Sequence, residues 1–473
     1  MLSRSIFQNI SPLDHRYSVS ESEMFSALSK YLSEEASVNA CARAETALVK
    51  AHLETRGLLT DALEAELDSS LSGLEVDDVY AEEEKTRHNI RALVNVMKKL
   101  VPKETAHLVH LGATSVDILD SAQSWRIRGA VNDVILPALV KLEDRLCGLA
   151  LREAGTPQVA RTHGQHAVPI TLGFMFSGFA SRLGKSIIEI RARAGGLRGK
   201  LSGAAGAYNA TSMMYSDPEE LERRYLARLG LEASEHSTQL VEPEYLLRLL
   251  LEVNTAFGII AHLADDLRNL QRSEIGELRE GFAETQVGSS TMPQKRNPWN
   301  SEHVKSLWKA FMPRVTTFFM DQISEHQRDL TNSASSRFIA EYLAGFALAV
   351  SRMSSVLETL GVDRTRLCEN LAAGSIPGGL LAESAYILLA ESGQSDAHEI
   401  VRRITLEAET QKISFASALK EEPDTLNAIE AVMRKLNIIS EGETAGDFFE
   451  HPERYRGLAA KKARRIAEKY RSL

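Results

Sequence analysis

Apolar residues recur at three- and four-residue steps along four long segments of the chain, the spacing that places them on one face of an α-helix. These segments cover about 116–153, 169–193, 244–274 and 337–360. A fifth candidate helix covers about 300–324. The spacing predicts helices roughly twice the mean length in globular proteins or longer, so we expect them to lie side by side in an elongated bundle.

Some of these segments are apolar almost all the way round, for example residues 245–264. A helix on the surface of a monomer needs only one apolar stripe. A broader apolar circumference indicates contact with several neighbouring helices, including helices of other subunits. We therefore expect a homo-oligomer.

The segments that flank the long helices are shorter and are interrupted by glycine and proline. We predict three helical domains: an N-terminal domain at 1–110, a central long-helix domain at 111–362, and a C-terminal domain at 363–473. The composition agrees with an all-α protein, because only 13 of 473 residues are proline and 6% are aromatic.

Charge and cysteine content narrow the class of function. The 55 Lys and Arg residues and 64 Asp and Glu residues give a net charge of −9, which does not favour binding to nucleic acid or to an anionic membrane. Residues 456–473 are basic, but they carry no aromatic platform for RNA, so we interpret them as a solvated helix face. The three cysteines form no CxxC pair and the N-terminus has no apolar core of a signal peptide, which predicts a cytoplasmic, soluble protein.

Residues 275–298 form a long segment without helical periodicity, and such segments are usually disordered or functional. The run Gly288-Ser289-Ser290 offers successive backbone N–H groups that can surround an anion. Lys295 and Asn297 add a positive charge and an amide. Taken alone, the fragment is equally well explained as an ordinary turn with a solvated lysine.

The string GSSTMPQKRNP at 288–298 as a whole resembles the signature loop of the aspartase/fumarase superfamily. HLGATSVD at 110–117 and RTHGQHAVP at 161–169 resemble two further regions of that superfamily, in the same order along the chain. The resemblance implies a central five-helix bundle in each subunit. It also implies a homotetramer with a twenty-helix core and active sites shared between subunits.

Within the superfamily, three segments are similar to the adenylosuccinate lyase family: SPLDHRYS at 11–18, TRHN at 86–89 and RDLTNSASSR at 328–337. Two positions depart from the family pattern, namely Asn89 in place of the usual Asp and LVEPEY after Gln239. The resemblance implies small, phosphorylated succinyl-purine substrates and no metal or organic cofactor. The implied reaction releases fumarate from adenylosuccinate, giving AMP, and from succinyl-aminoimidazole-carboxamide ribotide in purine biosynthesis.

Elimination of fumarate requires removal of a weakly acidic proton next to a carboxylate and protonation of the departing nitrogen. By resemblance, Ser289 is the general base, aided by Lys295, and His163 is the general acid, with Glu302 as its carboxylate partner. The resemblance assigns His88 to the catalytic groups as well, whereas we interpret His166 as structural. The implied substrate-binding residues are Arg16, Tyr17, Arg87, Asn89, His110, Thr114, Ser115, Gln239, Ser290, Met292, Asn297, Arg328, Ser333 and Arg337.

Two alternatives remain open at this point. One is another superfamily enzyme, such as argininosuccinate lyase, class II fumarase, aspartase or a carboxymuconate cycloisomerase. The other is a non-catalytic helical scaffold, for which long apolar helices suffice. A scaffold has no use for Ser289, Lys295 and His163 together, which favours an enzyme.

Overall fold

The computed structural model describes residues 5–282, 288–374 and 379–473. Residues 283–287, which belong to the predicted loop at 275–298, lie outside the described residues. The α-helices of the described residues are, in chain order, α1 (Ser18–Ser20), α2 (Ser22–Leu32), α3 (Glu34–Thr55), α4 (Asp61–Ser70), α5 (Val76–Thr86), α6 (Asn89–Leu100), α7 (Ser115–Ala130), α8 (Leu136–Arg152), α9 (Leu172–Gly195), α10 (Pro218–Arg228), α11 (Glu244–Leu270), α12 (Trp299–Phe311), α13 (Arg314–Met320), α14 (Ile339–Glu358), α15 (Arg364–Ala373), α16 (Ala382–Glu391), α17 (Ala397–Gln411), α18 (Phe415–Lys420), α19 (Pro423–Lys435), α20 (Ala445–Phe449) and α21 (Ala459–Tyr470).

The described strands are short and form three two-stranded sheets, so the fold is all-α. β1 (Pro157–Thr162) pairs antiparallel with β2 (Gln165–Thr171), β3 (Arg198–Gly199) pairs parallel with β4 (Glu232–Ala233), and β5 (Leu278–Arg279) pairs antiparallel with β6 (Gly361–Val362). Single turns of 3-10 or π-helix complete the secondary structure at Ile6–Gln8, Leu13–Tyr17, Leu71–Gly73, Ala106–Leu108, Thr211–Met213, Val131–Ile135, Ser335–Phe338 and Pro452–Arg454.

The four long helices predicted from the apolar spacing are confirmed to within a few residues. The first is α7 and α8, joined without a break through the π-helical turn Val131–Ile135, and the others are α9, α11 and α14. Residues 169–171, predicted as helix, belong to β2 instead. The fifth prediction was wrong as a single helix: α12 ends at Phe311 and α13 starts at Arg314, because Pro313 has no N–H to continue the helical hydrogen bonds.

The chain divides into two compact units, each built from separate stretches of sequence. The first unit comprises Met1–Val140, Lys185–Ile260 and Ser306–Ser351, and the second comprises Lys141–Gly184, Ala261–Lys305 and Arg352–Leu473. The borders between these stretches fall inside the long helices α8, α9, α11, α12 and α14. The three-domain division at 110 and 362 stays a prediction.

The core of the first unit is centred on α3, which packs against α7 and α10. Four buried alanines, Ala40, Ala44, Ala47 and Ala51, follow one another at four- and three-residue steps and so line one face of α3. Small side chains on that face allow neighbouring helices to approach closely. This helix carries polar groups into the interior as well, which matters for the site described below.

In the second unit, α16 to α20 surround a separate core. Leu388, Leu389, Ile404 and Phe449 are among its buried members.

Helix α11 is long and apolar enough to cross a membrane by length and composition alone. However, 56% of its most apolar 18-residue stretch is buried inside the protein. Burial of this kind is what the core helix of a globular protein shows.

Glu143 on α8 is an unusual member of the second unit, because its side chain is buried and has little compensation. The Cys147 thiol, at 3.6 Å, is the hydrogen-bond donor to its Oε1, and its Oε2 has no partner among the described residues. Burial raises the pKa of Glu143 to about 8, from an ordinary value of 4.5. The folded protein therefore holds this proton over a pH range in which the unfolded chain has lost it.

We predict that Glu143→Gln raises thermal stability at pH 8.5 and has much less effect at pH 5. The wild-type carboxyl destabilises the fold increasingly as the pH rises from 4.5 to about 8, because the folded state binds more protons there than the unfolded state. The neutral amide removes that cost, which amounts to a few kcal/mol. Unfolding midpoints measured by circular dichroism at both pH values test the prediction.

Asp144→Asn is the matched control, since Asp144 is the neighbouring carboxylate, is exposed and lies 3.3 Å from Arg471. It should leave the pH trend of the wild type unchanged. An equal gain from Glu143→Gln at both pH values would contradict the assignment of a buried, protonated carboxyl.

Candidate active site

The described part of the signature loop is a compact turn built around Ser289. The Ser289 Oγ atom accepts hydrogen bonds from the backbone N–H groups of Met292 at 3.1 Å and Thr291 at 3.4 Å. The Met292 carbonyl accepts from the Lys295 N–H at 3.0 Å, and the Asn297 amide donates to the Gly288 carbonyl at 3.1 Å. The structure thus brings together Ser289, Met292, Lys295 and Asn297, four residues that the sequence resemblance had grouped.

This turn requires glycine at position 288, because the surrounding atoms leave no space for a side chain. A Cβ atom at position 288 would lie 2.2 Å from the Lys295 carbonyl oxygen and 3.0 Å from the Phe282 ring. Contacts of that length to backbone do not occur in folded proteins, so a side chain at 288 has to displace the segment that carries Lys295.

Two polar side chains fix the described ends of the loop. Glu280 accepts from the N–H groups of Asn300 at 3.2 Å and Ser301 at 2.8 Å, and its carboxylate therefore caps the start of α12. Gln271, just after α11, accepts from the Glu280 N–H at 2.8 Å and donates to the Arg296 carbonyl at 3.2 Å. The loop is consequently tied to the helix before it and to the helix after it.

His163 lies at the tip of the hairpin formed by β1 and β2. Thr162 pairs with Gln165, so His163 and Gly164 form a two-residue turn, with φ values of 57° and 75°. Positive φ at both central residues defines a type I′ turn, whose twist matches that of the flanking strands. The hairpin therefore presents the His163 side chain at an exposed tip.

A buried carboxylate holds the base of this hairpin. Glu277 is fully buried and accepts hydrogen bonds from Gln158 at 2.8 Å, Arg161 at 2.7 Å and Asn370 at 2.9 Å. Three donors compensate its charge in the interior. Partial desolvation and the Arg161 charge lower the pKa of His166 on β2, although this residue is exposed in the isolated chain.

The second unit thus contains all the residues predicted to carry out the proton transfers except His88. Ser289 is half-buried, whereas His163, Lys295 and Glu302 are exposed, as is the binding residue Ser290. Among the described residues, no hydrogen bond or ion pair joins the His163 imidazole to Glu302 or to Ser289. The expected pairing of His163 with Glu302 stays a prediction.

The predicted substrate-binding residues outside the loop belong to the first unit. His88 precedes α6, and its Nδ1 accepts from the Arg91 N–H at 3.3 Å, so that this ring caps the helix. Arg87 ends α5 with φ of 54°, and Asn89 accepts from the Ile90 N–H at 2.8 Å. All three predicted residues are exposed at the junction of α5 and α6.

Two further arginines of the prediction also belong to this unit. Arg16 and Tyr17 end the π-helical turn Leu13–Tyr17. Arg337 lies in the 3-10 turn Ser335–Phe338. Burial and Glu34 raise the pKa of Tyr80 on α5 to about 12, and the positive charge of Arg337 partly opposes this rise.

His110, Thr114 and Ser115 lie at the start of α7. Thr114 is the N-cap residue, and its N–H donates to Asp117 at 2.8 Å in a capping box. Asp117 in turn accepts from Lys200, and both side chains are fully buried. His110 has φ of 64° and its Nδ1 lies 2.6 Å from Glu45.

Gln239 and Arg328 are brought together through the backbone. The Gln239 N–H donates to the Gln327 carbonyl at 3.2 Å. The Arg328 guanidinium donates to the carbonyls of Gln322 and Asp321, each at 3.1 Å, and Ser333 follows in a turn closed on the Leu330 carbonyl. These contacts place residues 327–333 next to Gln239.

A cavity of about 90 Å³ adjoins Arg328 in the first unit. Asp120 and Asp321 line it, and burial raises the pKa of Asp120 to about 6 and that of Asp321 above its usual range. Asp120 also accepts from the Val241 N–H at 2.9 Å, which fixes the segment that follows Gln239.

The unusual segment LVEPEY is held by two further hydrogen bonds. Glu242 accepts from Ser234 at 2.7 Å, and Glu244 accepts from Gln322 at 2.7 Å. In the isolated chain, both glutamates therefore accept hydrogen bonds that stabilise the fold.

Sequence reasoning missed the residues that hold the site in place. Glu277, Glu280 and Gln271 have no recognisable spacing relative to His163, and the partners of Glu277 lie 93 to 119 positions away in the chain. The sequence offers one weak indication of their role: each is a polar residue next to a segment that carries predicted site residues.

Comparison with known proteins places this chain in a family. A family model described as lyase matches residues 15–310, and one described as adenylosuccinate lyase C-terminal matches residues 324–440. The adenylosuccinate lyase of Pyrococcus horikoshii is 30% identical over 87% of this chain and 90% of its own length. That of Pyrococcus abyssi is 30% identical over 97% of this chain and 96% of its own length.

Solved structures agree on the fold. The 3-carboxy-cis,cis-muconate lactonizing enzyme of Pseudomonas putida superimposes with a TM-score of 0.78 at 24% identity, covering 94% of this chain and 97% of that one. A fumarate lyase from Mesorhizobium sp. BNC1 gives a TM-score of 0.78 at 22% identity, with the same coverage of both chains. At such identities the likeness concerns the fold alone.

Together, the fold, the loop and the family match define an enzyme of the lyase class in the aspartase/fumarase superfamily. The sequence relatives narrow this further. The chain belongs to the adenylosuccinate lyase family.

We predict that Gly288→Ala lowers kcat by at least about tenfold without unfolding the protein, because the new methyl group displaces the Lys295 segment while the long helices stay intact. Steady-state release of fumarate, followed by absorbance, measures the effect.

Gly155→Ala is the control, since a Cβ atom at 155 meets nothing within 4 Å. It should retain wild-type kcat. Equal activity of both variants would show that the close approach of Gly288 to Lys295 is not needed for function.

Proposed function

We propose that this enzyme eliminates fumarate from adenylosuccinate, giving AMP, and from succinyl-aminoimidazole-carboxamide ribotide, as a soluble cytoplasmic enzyme of purine biosynthesis. Family membership supports the reaction class, because relatives named adenylosuccinate lyase match this chain over most of their own length. The geometry of Ser289 is the single observation that carries the chemistry.

The reaction breaks one C–H bond and one C–N bond of the succinyl group and forms one C=C bond. A base removes the proton next to the carboxylate, the electron pair forms the double bond as nitrogen departs, and an acid protonates that nitrogen. The negative charge that develops on the carboxylate is stabilised by fixed N–H donors and a cation.

Ser289 suits the role of the base because of its hydrogen bonds. A serine hydroxyl is a weak base in water and has to be activated. Two backbone N–H groups, those of Thr291 and Met292, already donate to its Oγ, and such donors stabilise the alkoxide form. Lys295, three residues after Met292, supplies the nearby positive charge.

His163 serves as the acid that protonates the leaving nitrogen, with Glu302 as the carboxylate that orients its ring. A histidine carries a proton readily near neutral pH. The type I′ turn supports this assignment, because it presents His163 at an exposed tip instead of burying it.

The basic and hydroxyl residues of the first unit bind the substrate anions. Arginine suits phosphate and carboxylate through its paired N–H donors. Thr114 and Ser115 stand at the N-terminus of α7, where the helix dipole favours negative charge. His88 takes part in catalysis, and the remaining contacts are made by Arg16, Tyr17, Arg87, Asn89, His110, Gln239, Ser290, Met292, Asn297, Arg328, Ser333 and Arg337.

We further propose a homotetramer whose active sites are shared between subunits. Five large apolar side chains of residues 319–338 are exposed in the isolated chain: Phe319, Met320, Ile323, Leu330 and Phe338. Such a concentration of exposed apolar surface is typical of a subunit contact. It includes the stretch that carries Arg328, Ser333 and Arg337, so that a subunit docked there contributes groups next to them.

A panel of substrates tests the proposed function. Fumarate should appear rapidly from adenylosuccinate and from the succinyl-carboxamide ribotide. Argininosuccinate, malate, aspartate and carboxymuconate serve as comparison substrates. Release of fumarate from one of the first three, or conversion of carboxymuconate, without turnover of adenylosuccinate would overturn the substrate assignment.

Ser289→Ala and His163→Ala should each lower kcat by about 10²- to 10⁴-fold, since each removes one proton-transfer group. Circular dichroism and the mass of the assembly should be unchanged. When the two inactive variants are mixed under conditions of subunit exchange, activity should return in part, because some hybrid sites then contain both intact residues. No recovery despite demonstrated exchange would contradict shared sites.

A further inference from the structure

Helix α3 carries two buried polar side chains, Glu45 and His52, that both reach the segment before α7. They are seven residues apart, which is about two helical turns, and so they project from the same face. Both are fully buried. Neither residue was selected from the sequence, and neither has a role in the mechanism above.

His52 fixes the backbone of this segment. Its Nε2 lies 2.9 Å from the Leu111 carbonyl, and its Nδ1 lies 2.7 Å from the Tyr215 hydroxyl. A carbonyl only accepts, so Nε2 carries the proton and Nδ1 accepts from tyrosine. Burial lowers the pKa of His52 to about 4, which keeps this ring neutral.

Glu45 holds the side chain of the preceding residue, His110. One carboxylate oxygen lies 2.6 Å from the His110 Nδ1, and the other is buried with no partner among the described residues. A carboxylate accepts, so Nδ1 donates the proton. The Glu45 side chain is completely inaccessible, whereas that of His110 is 22% exposed, which leaves the Nε2 side of the ring available to a ligand.

The local backbone makes this arrangement specific. His110 adopts φ of 64° and Gly112 adopts φ of 76°, so the chain makes a sharp turn between α3 and the start of α7. A Cβ atom on Gly112 would lie 2.9 Å from the Met214 side chain. Glu45 and His52 are the two side chains of α3 that pin this turn, one through a side chain and the other through a carbonyl.

We propose that Glu45 is a positioning residue for the elimination reaction. It fixes the His110 ring with Nδ1–H inward, so that the unprotonated Nε2 accepts a hydrogen bond from an N–H or O–H group of the substrate bound beside Thr114 and Ser115. This inference rests on the proposed function. The relationship is that of a carboxylate that orients a histidine and selects its tautomer.

Glu45→Gln tests this role, because it keeps the volume and changes only the charge and the hydrogen-bonding pattern. The glutamine amide is able to donate to Nδ1, which reverses the tautomer of His110. We expect kcat/KM for adenylosuccinate to fall about 10- to 100-fold, the size of effect seen when the orienting partner of a histidine ligand is removed.

A double-mutant cycle separates positioning from a general structural role. If Glu45 acts through His110, Glu45→Gln has no further effect in a His110→Ala background. Glu54→Gln is the matched control, since Glu54 lies on the same helix and pairs with Arg224 and Arg228 without contacting His110. It should retain wild-type kcat/KM.

Two results would overturn the proposal: wild-type kcat/KM in Glu45→Gln, or a loss that simply adds to that of His110→Ala. If Glu45→Gln does not fold, Glu45→Asp replaces it in the same cycle, because it keeps the charge but shortens the reach and should give a smaller loss that is again absent without His110.

A measurement independent of turnover keeps this inference distinct from the proposed function. In protein labelled with ¹⁵N-histidine, the His110 resonances, identified by their loss in His110→Ala, should report a protonated Nδ1 in the wild type and a changed state in Glu45→Gln. Absence of adenylosuccinate turnover by the wild type would refute the proposed function. A bare Nδ1 on His110 in the wild type would refute the role of Glu45.

Discussion

The position of the loop around Ser289 depends on one carboxylate, that of Glu280. It joins the segment after α11 to the first turn of α12, because its side chain accepts from Ser301 while its own N–H donates to Gln271. The loop lies between two long helices that are themselves fixed by buried apolar surface. The packed helices therefore hold this short turn through the hydrogen bonds of two polar residues, Glu280 and Gln271.

Much of the fold could be predicted from the chain, because a long amphipathic helix repeats its pattern over many turns. The stripe in α14 and the apolar length of α11 are examples, and both helices occur within a few residues of their predicted bounds. Short features are harder to predict. The break at Pro313 and the hairpin around His163 each depend on one or two residues, which a periodic pattern does not register.

Most of the chemistry-bearing residues could be selected because they lie in six short strings that resemble family motifs. Their supports are not contiguous: Glu277 draws donors from β1 and from α15, and Glu45 meets His110 from a helix 65 positions earlier in the chain. Such pairs exist only after folding, since their distance in sequence carries no information about their distance in space. The positions of Glu277 and Glu45 relative to the site residues are therefore apparent only in the folded structure.

The alanine face of α3 has a consequence for how activity responds to changes in the interior. Side chains of one carbon let neighbouring helices pack close to α3, and Glu45 reaches His110 from this closely packed helix. Larger side chains at Ala44 or Ala51 are expected to push the helices apart and to move the carboxylate away from the imidazole, although neither alanine is among the predicted site residues. On the proposed role of Glu45, the catalytic rate is consequently tied to the thickness of a helix interface.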